Sequence, residues 1–268
     1  HQNDLRQCLD NTAGSGAAAL ALEAMDDTIV IMGHSDLTFS VQDAGRLGSY
    51  AVPEGHSGAV LGAASGDTLA GGGGNDVLLG GRGNDSFSAM AGNDVLGGGG
   101  GADSLDGGAG VDTVLLEGAR ANYSITFHPG SVSVNHHAGA STVSLAAVER
   151  LRFSDAAFAL DVDGNAGQAY RIYQAAFDRA PDAIGLGFWI NTMDRGVSLH
   201  DVAAGFVSSS EFTSRYGPNP DDGQLVTGFY QNVLHRAPDQ AGYDYWIGAR
   251  QQGMQAADML AAFSESRE

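Results

Sequence analysis

Gly71-Gly-Gly-Gly-Asn-Asp-Val-Leu-Leu79 runs without a gap into Gly80-Gly-Arg-Gly-Asn-Asp-Ser-Phe-Ser88, and the likeness of these two nonapeptides decides the fold. Outward from them the same phase gives GAASGDTLA from Gly62, AMAGNDVLG from Ala89, GGGGADSLD from Gly98 and GGAGVDTVL from Gly107. An aspartate therefore recurs every nine residues, at Asp67, Asp76, Asp85, Asp94, Asp103 and Asp112. Two residues after each stands an apolar side chain: Leu69, Leu78, Phe87, Leu96, Leu105 or Val114. Each unit divides into a turn, whose glycines reach backbone angles that a Cβ forbids, and a three-residue strand with one side chain pointing inward. Stacking such units puts the apolar residues in a narrow core and the aspartates along the rims. A flexible glycine-rich linker gives no reason for an aliphatic residue at every ninth position.

The array resembles, unit by unit, the RTX nonapeptide GGxGxDxUx, a calcium-binding parallel β-helix repeat. In that family two nonapeptides make one coil, so turns on one rim come from units i and i+2, with an ion between them. The resemblance implies Ca²⁺ as the cofactor, about four ions, between Asp67 and Asp85, Asp76 and Asp94, Asp85 and Asp103, and Asp94 and Asp112. Carbonyls of the turns would complete each site, with Gly71, Gly73, Gly80, Gly83, Gly92, Gly98, Gly100 and Gly107 as the turn residues. Unit four departs from the pattern, with Ala89-Met90 where Gly-Gly is usual.

A formal net charge of −19 over 268 residues argues against nucleic acid, whose phosphates it would repel, and favours divalent cations. Cys8 is the single cysteine, so no intrachain disulfide forms and rigidity must come from elsewhere, here the metal. No apolar run is long enough for a transmembrane helix. The chain starts at His1, and no charged n-region precedes an apolar segment. Either the true start has been removed or export uses another signal. RTX proteins typically leave the bacterial cell by type I secretion with an uncleaved C-terminal signal, so the resemblance implies an extracellular or cell-surface location.

The expected architecture is a β + α multidomain chain. A parallel β-roll, or β-solenoid, occupies 62–115, a β cap 116–162, and a mainly α-helical tandem-repeat domain 163–268. Residues 1–61 form an irregular region in which Asp27-Thr-Ile-Val and Asp36-Leu-Thr-Phe, nine apart, read as degenerate coils, and Ala17–Ala24 as a short helix or buried strand. The cap follows from period-two alternation in Tyr123–Phe127, Ser131–Val134 and Thr142–Leu145, with VERLRFSD (Val148–Asp155) closing the last coil. In the helical part Tyr173-Gln174, Arg179-Ala-Pro-Asp182, Gly185 and Trp189-Ile190 recur 57 residues on as Tyr230-Gln231, Arg236-Ala-Pro-Asp239, Gly242 and Trp246-Ile247. Proline forces a turn, the aspartate caps the next helix, and the tryptophan is expected in the core. This part resembles a helical domain of unknown function found as tandem copies in secreted bacterial proteins. Its repeated residues are capping and packing types, which favours scaffold; for Arg179 and Arg236 the alternative is a carboxylate or sugar (glycan) ligand at the cell surface, and an intramolecular pair with an aspartate is expected.

Catalytic constellations are missing from the sequence. There is no HExxH, and Gly55-His-Ser57-Gly-Ala59 lacks the strand and helix a nucleophile elbow needs. Asp161-Val-Asp163-Gly-Asn165 has Ala166 and Ile172 where an EF-hand needs Gly and Glu. His136 and His137, adjacent on a strand, face opposite ways. Two readings follow. One is a non-enzymatic, secreted, calcium-folded structural or adhesive protein that self-assembles into homo-oligomers or polymers. The other is the secretion and folding module of a larger RTX enzyme whose catalytic part lies upstream of His1, and precursor length separates them.

Overall fold

Three-residue strands separated by six-residue turns bring every second strand back to the same side, and two parallel sheets result. The computed structural model describes residues 24–25, 28–29, 37–40, 49–52, 57–62, 66–139 and 141–266, and before residue 51 their backbone alone. The chain divides into two units, 1–158 and 159–268.

In the first unit the strands are β1 (Ala24–Met25), β2 (Thr28–Ile29), β3 (Leu37–Ser40), β4 (Ser49–Ala51), β5 (Ser57–Leu61), β6 (Thr68–Ala70), β7 (Val77–Leu79) and β8 (Ser86–Ser88). Then come β9 (Val95–Gly97), β10 (Gly101–Asp106), β11 (Thr113–Leu115), β12 (Tyr123–His128), β13 (Ser131–His136), β14 (Ser141–Ala146), β15 (Arg150–Arg152) and β16 (Ala157–Ala159). One sheet has the order β12-β13-β14-β10-β8-β6-β4 and the other β16-β15-β11-β9-β7-β5-β3. Units one, three and five thus feed one sheet, and two, four and six the other. Register stacks the inward residues into columns: Leu69, Phe87, Leu105 and Leu145 on one side, Val60, Leu78, Leu96, Val114 and Leu151 on the other. None of these side chains is more than 4% exposed. Removing that much apolar surface from water is the main non-metal term holding the roll.

The cap expected over 116–162 takes a different form. β14 pairs in parallel with β10 from Gly101↔Ser141 to Asp106↔Ala146, and β15 in parallel with β11. β14 and β15, the latter within VERLRFSD, therefore supply a further coil instead of lying over the last one, because Leu145 and Leu151 hold the same inward position as the array's leucines. After the array β12 pairs antiparallel with β13, and β13 with β14. At the other end β3 pairs in parallel with β5, and β4 with β6, so coils precede Gly62, while β1 and β2 form an antiparallel ribbon. Asp27, Asp36 and nearly all of Ala17–Ala24 lie outside the described residues.

The second unit holds α1 (Asn165–Phe177), α2 (Ala183–Asp194), α3 (Leu199–Val207), α4 (Ser210–Tyr216), α5 (Asp222–Leu234), α6 (Gln240–Gln251) and α7 (Ala256–Ser264). The bounds of α5, α6 and α7 are those of α1, α2 and α3 plus 57, as in 222 − 165 and 264 − 207. Asp182 and Asp239 accept from the amides of Gly185 and Gly242, each 2.8 Å, and cap their helices as expected. Buried Ile172, Phe206, Phe229, Leu260 and Phe263 make one core across both copies. Trp189 and Trp246 differ from expectation: they are half-buried at its edge, tilted against the rings of Phe206 and Phe263 with centroids 5.4 and 4.7 Å apart. Arg179 forms its bidentate pair with Glu211 (2.7 and 2.8 Å) instead of an aspartate, and it also lies over Tyr173. Arg236 does reach Asp239, at 3.5 Å.

Candidate metal sites

Strands β6, β7, β8, β9 and β11 begin directly after their aspartates, which fixes those side chains at the seam between turn and strand, while Asp103 lies within the longer β10. The 18-residue coil then places a carboxylate next to its counterpart one coil away. The amide of Asp67 donates to Asp85 Oδ1 at 2.7 Å, Asp76 to Asp94 at 2.7 Å, Asp85 to Asp103 at 3.0 Å and Asp94 to Asp112 at 2.8 Å. These are the pairs that the i, i+2 rule puts together. In the coil before the array Gly58 stands in the aspartate's place, and its amide donates to Asp76 Oδ1 at 2.6 Å.

One oxygen of the carboxylates of Asp76, Asp85, Asp94, Asp103 and Asp112 is satisfied in this way, and in four of these five the other is not. Asp76 Oδ2 takes the amide of Gly72 at 2.7 Å. The Oδ2 atoms of Asp85, Asp94, Asp103 and Asp112 are buried with no hydrogen-bond partner, and all six array aspartates are at most 4% exposed. A buried, unpartnered carboxylate oxygen is costly unless a cation or proton meets it. Protonation is favoured accordingly. Burial raises the carboxyl of Asp94 to about 7, helped by the charges of Asp112 and Asp76, and that of Asp85 to about 6, helped by Asp103 and Asp67. Burial likewise pushes up Asp76, Asp103 and Asp112, against amides that pull them down.

The glycines divide by position. Gly71, Gly80, Gly98 and Gly107, first in their units, are buried, and a Cβ on any of them would run into the unit's own aspartate Oδ2. Gly83 and Gly92, fourth in theirs, have φ of +121° and +134°, the region where a side chain is strained. Gly73 is exposed and a Cβ on Gly100 would meet nothing within 4 Å, so third-position glycine is not sterically required. Arg82, Ala91 and Ala109 stand there in other units. Unit four keeps the same path with Met90 at φ +73°. Carbonyls from successive turns lie close together, as in the amides of Gly83 and Gly100 donating to Gly100 and Gly81 at 2.8 and 2.9 Å.

Among the described residues no three Asp, Glu, His or Cys side chains converge on one point. Pairs of carboxylates do, and an oxygen-seeking ion that takes six to eight ligands would draw the remainder from these carbonyls. Hard anionic and carbonyl oxygens fit calcium. Asn75, Asn84 and Asn93 run a parallel ladder outside the aspartates, accepting from the amides of Asn93, Ala102 and Val111. Sequence reasoning missed them, although Asn precedes Asp in three units. His136 and His137 do part company: His136 lies edge-on to Tyr123, and His137 Nε2 meets Ser124 Oγ at 2.9 Å. Asp161, from the rejected EF-hand, accepts the amide of Ala166 at the start of α1.

Family comparison agrees with this geometry. The RTX calcium-binding nonapeptide repeat matches residues 61–96 and 83–114, and a domain of unknown function, DUF4214, matches 164–215 and 203–268. The chain carries an RTX calcium-binding array followed by a tandem DUF4214 region. The RTX array is thus the calcium-binding part of the chain. Among solved structures, the extracellular lipase LipA from Serratia marcescens is similar at 23% identity and a TM-score of 0.21. That match covers 37% of this chain and 15% of the lipase. No curated protein matches. Among the described residues no helix is long and apolar enough to cross a membrane.

Proposed function

We propose that this RTX protein is a secreted, non-enzymatic structural protein whose β-roll folds only where calcium is plentiful, outside the cell. The observation that carries the reading is the row of buried Oδ2 atoms without partners on Asp85, Asp94, Asp103 and Asp112. A fold that leaves those charges bare at neutral pH disfavours itself, and calcium removes the penalty. If each site binds with a Kd near the ~10⁻⁴–10⁻³ M of extracellular modules, millimolar calcium adds about 0.4–1.4 kcal/mol per site. Over the aspartate pairs that sum is comparable with the stability of a small domain. At cytosolic calcium the same sites stay empty, which keeps the roll unfolded for export by a type I route.

The helical repeats supply scaffold, and neutralisation of the −19 charge by calcium lets copies of the chain approach one another at a cell surface or in a matrix. Circular dichroism at neutral pH with and without chelator tests the folding step, with the β signal of the roll expected in calcium and lost with chelator. An unchanged β signal after chelation would overturn it. Light scattering across a calcium titration tests assembly, with growth in mass beyond the monomer expected and a constant 27.5 kDa species as the contrary result.

A further inference from the structure

The aspartate ladder does not end with the array. Asp94 donates its amide to Asp112, and Asp112 donates its own to Glu149 Oε2 at 2.8 Å. Glu149 lies 37 residues on, beyond the β12–β13 hairpin, and is half-buried. Its neighbours repeat the array's seam bond for bond. The amide of Arg150 donates to the Asp112 carbonyl at 2.9 Å, as Ser86 donates to Asp67 and Val95 to Asp76. Gly107 donates to the Ala146 carbonyl at 3.0 Å, as Gly71 donates to Ser88 and Gly80 to Gly97.

The oxygens match as well. A Cβ on Gly62 would strike the carbonyl of Gly80 and the Oδ2 of Asp67, and one on Gly71 the carbonyl of Ala89 and the Oδ2 of Asp76. On Gly107 it would strike the carbonyl of Ala147 and the Oδ2 of Asp112. Ala147 thus occupies the first-glycine position of the following coil, and it does so at φ +46°, a left-handed backbone unusual for alanine. Asp112 itself is fully buried, and its Oδ2 has no hydrogen-bond partner. One residue separates Ala147 from Glu149, whereas four separate Gly107 from Asp112. A shortened turn with a carboxylate one methylene longer keeps the acidic group on the rim. The other rim has no such continuation, because Asp103 faces Val143 in the next strand.

We propose that Asp112, Glu149, the Ala147 carbonyl and the turn Gly107–Val111 form an additional divalent-cation site, for calcium, where the array meets the closing coil. It rests on the calcium reading above and adds one ion to those held by aspartate pairs. Glu149 is then a ligand, and Asp112 serves two ions where Asp67, at the opposite end, serves one.

Calcium stoichiometry by equilibrium dialysis and calorimetry on the full chain tests this. Glu149→Gln keeps an acceptor for the Asp112 amide and removes the charge, and it is expected to bind one ion fewer than the unaltered chain with the same dichroism in saturating calcium. The same stoichiometry and affinities as the unaltered chain would overturn the site. Should that variant not fold, Asp112→Asn and Asp67→Asn decide, with two ions lost from the first and one from the second expected, and equal losses contrary. If the unaltered chain binds no calcium at all, the calcium reading itself fails, an outcome distinct from either.

Discussion

The array and the helical pair are both repeats, but they spend their sequence differently. In the nonapeptide array a unit contributes one core side chain, such as Leu78 or Leu96, and one buried carboxylate, Asp76 or Asp94. In the 57-residue repeat each copy contributes several, including Ile172, Tyr173 and Phe206 in the first and Phe229, Tyr230 and Phe263 in the second. The short repeat therefore depends on what lies between its turns, while the long one depends on apolar burial and on pairs such as Arg171–Glu265 and Arg250–Asp222. A repeat too small to bury its own core delegates stability to ions.

The largest expected effect breaks the comparison in two. Chelation should unfold the roll and leave the helices, because no array carboxylate belongs to the second unit. Differential scanning calorimetry with dichroism is expected to show one transition that disappears with chelator and one that stays. A single cooperative loss of both would mean that the helical core needs the metal too.

The converse change should spare calcium. Phe229, fully buried and within 6.4 Å of the rings of Phe212, Tyr216 and Phe263, is expected to cost about 3–5 kcal/mol as Phe229→Ala, read as a lower melting point of the calcium-independent transition. Trp189→Ala should cost less, since half-burial removes less surface from water. Equal losses would place Trp189 in the core after all. Calcium stoichiometry is expected to stay constant in both.

How far the sequence revealed these things follows the same division. The aspartates and Leu69 to Val114 were legible because a period of nine fixes both strand register and facing. Glu149 was not, since the 37-residue step from Asp112 breaks that period and the residue type changes with it. Its signal is faint: Val148-Glu-Arg-Leu-Arg152 lines up with Val111-Asp-Thr-Val-Leu115 only once the β12–β13 hairpin is seen as an insertion. In the helices the caps at Asp182 and Asp239 were legible because they act locally. The burial of Trp189 and the Arg179–Glu211 pair depend on packing between helices, which spacing alone does not fix.

A smaller effect comes from pH. The carboxyls of Asp94 and Asp85 are raised in the metal-free roll, to about 7 and about 6. A raised acid stabilises the folded state below its unfolded value of 3.8 and loses that contribution as pH rises through the folded value. The metal-free roll is therefore expected to gain β structure on acidification through the range from about 7 to 4. Calcium must displace the same protons, so its affinity should fall over that range. Calcium titrations at about pH 5 and about pH 8 check this, and equal affinities would mean that these carboxyls are already ionised in the metal-free fold.

The smallest effect separates two glycines that the repeat pattern treats alike. Gly80 is buried, and a Cβ there would run into the side chain of Asp85, down to its Oδ2. Gly80→Ala should weaken calcium binding at the Asp85 pairs and lower the calcium-dependent melting point. Gly100 meets nothing within 4 Å, and its φ is not among the positive ones. There alanine restricts only the unfolded chain, so Gly100→Ala is expected to stabilise the calcium-loaded roll by about 0.4–1 kcal/mol. Thermal melts in saturating calcium read both variants. A loss of calcium in Gly100→Ala would show that the third position must be glycine for coordination, although a Cβ there has open space around it.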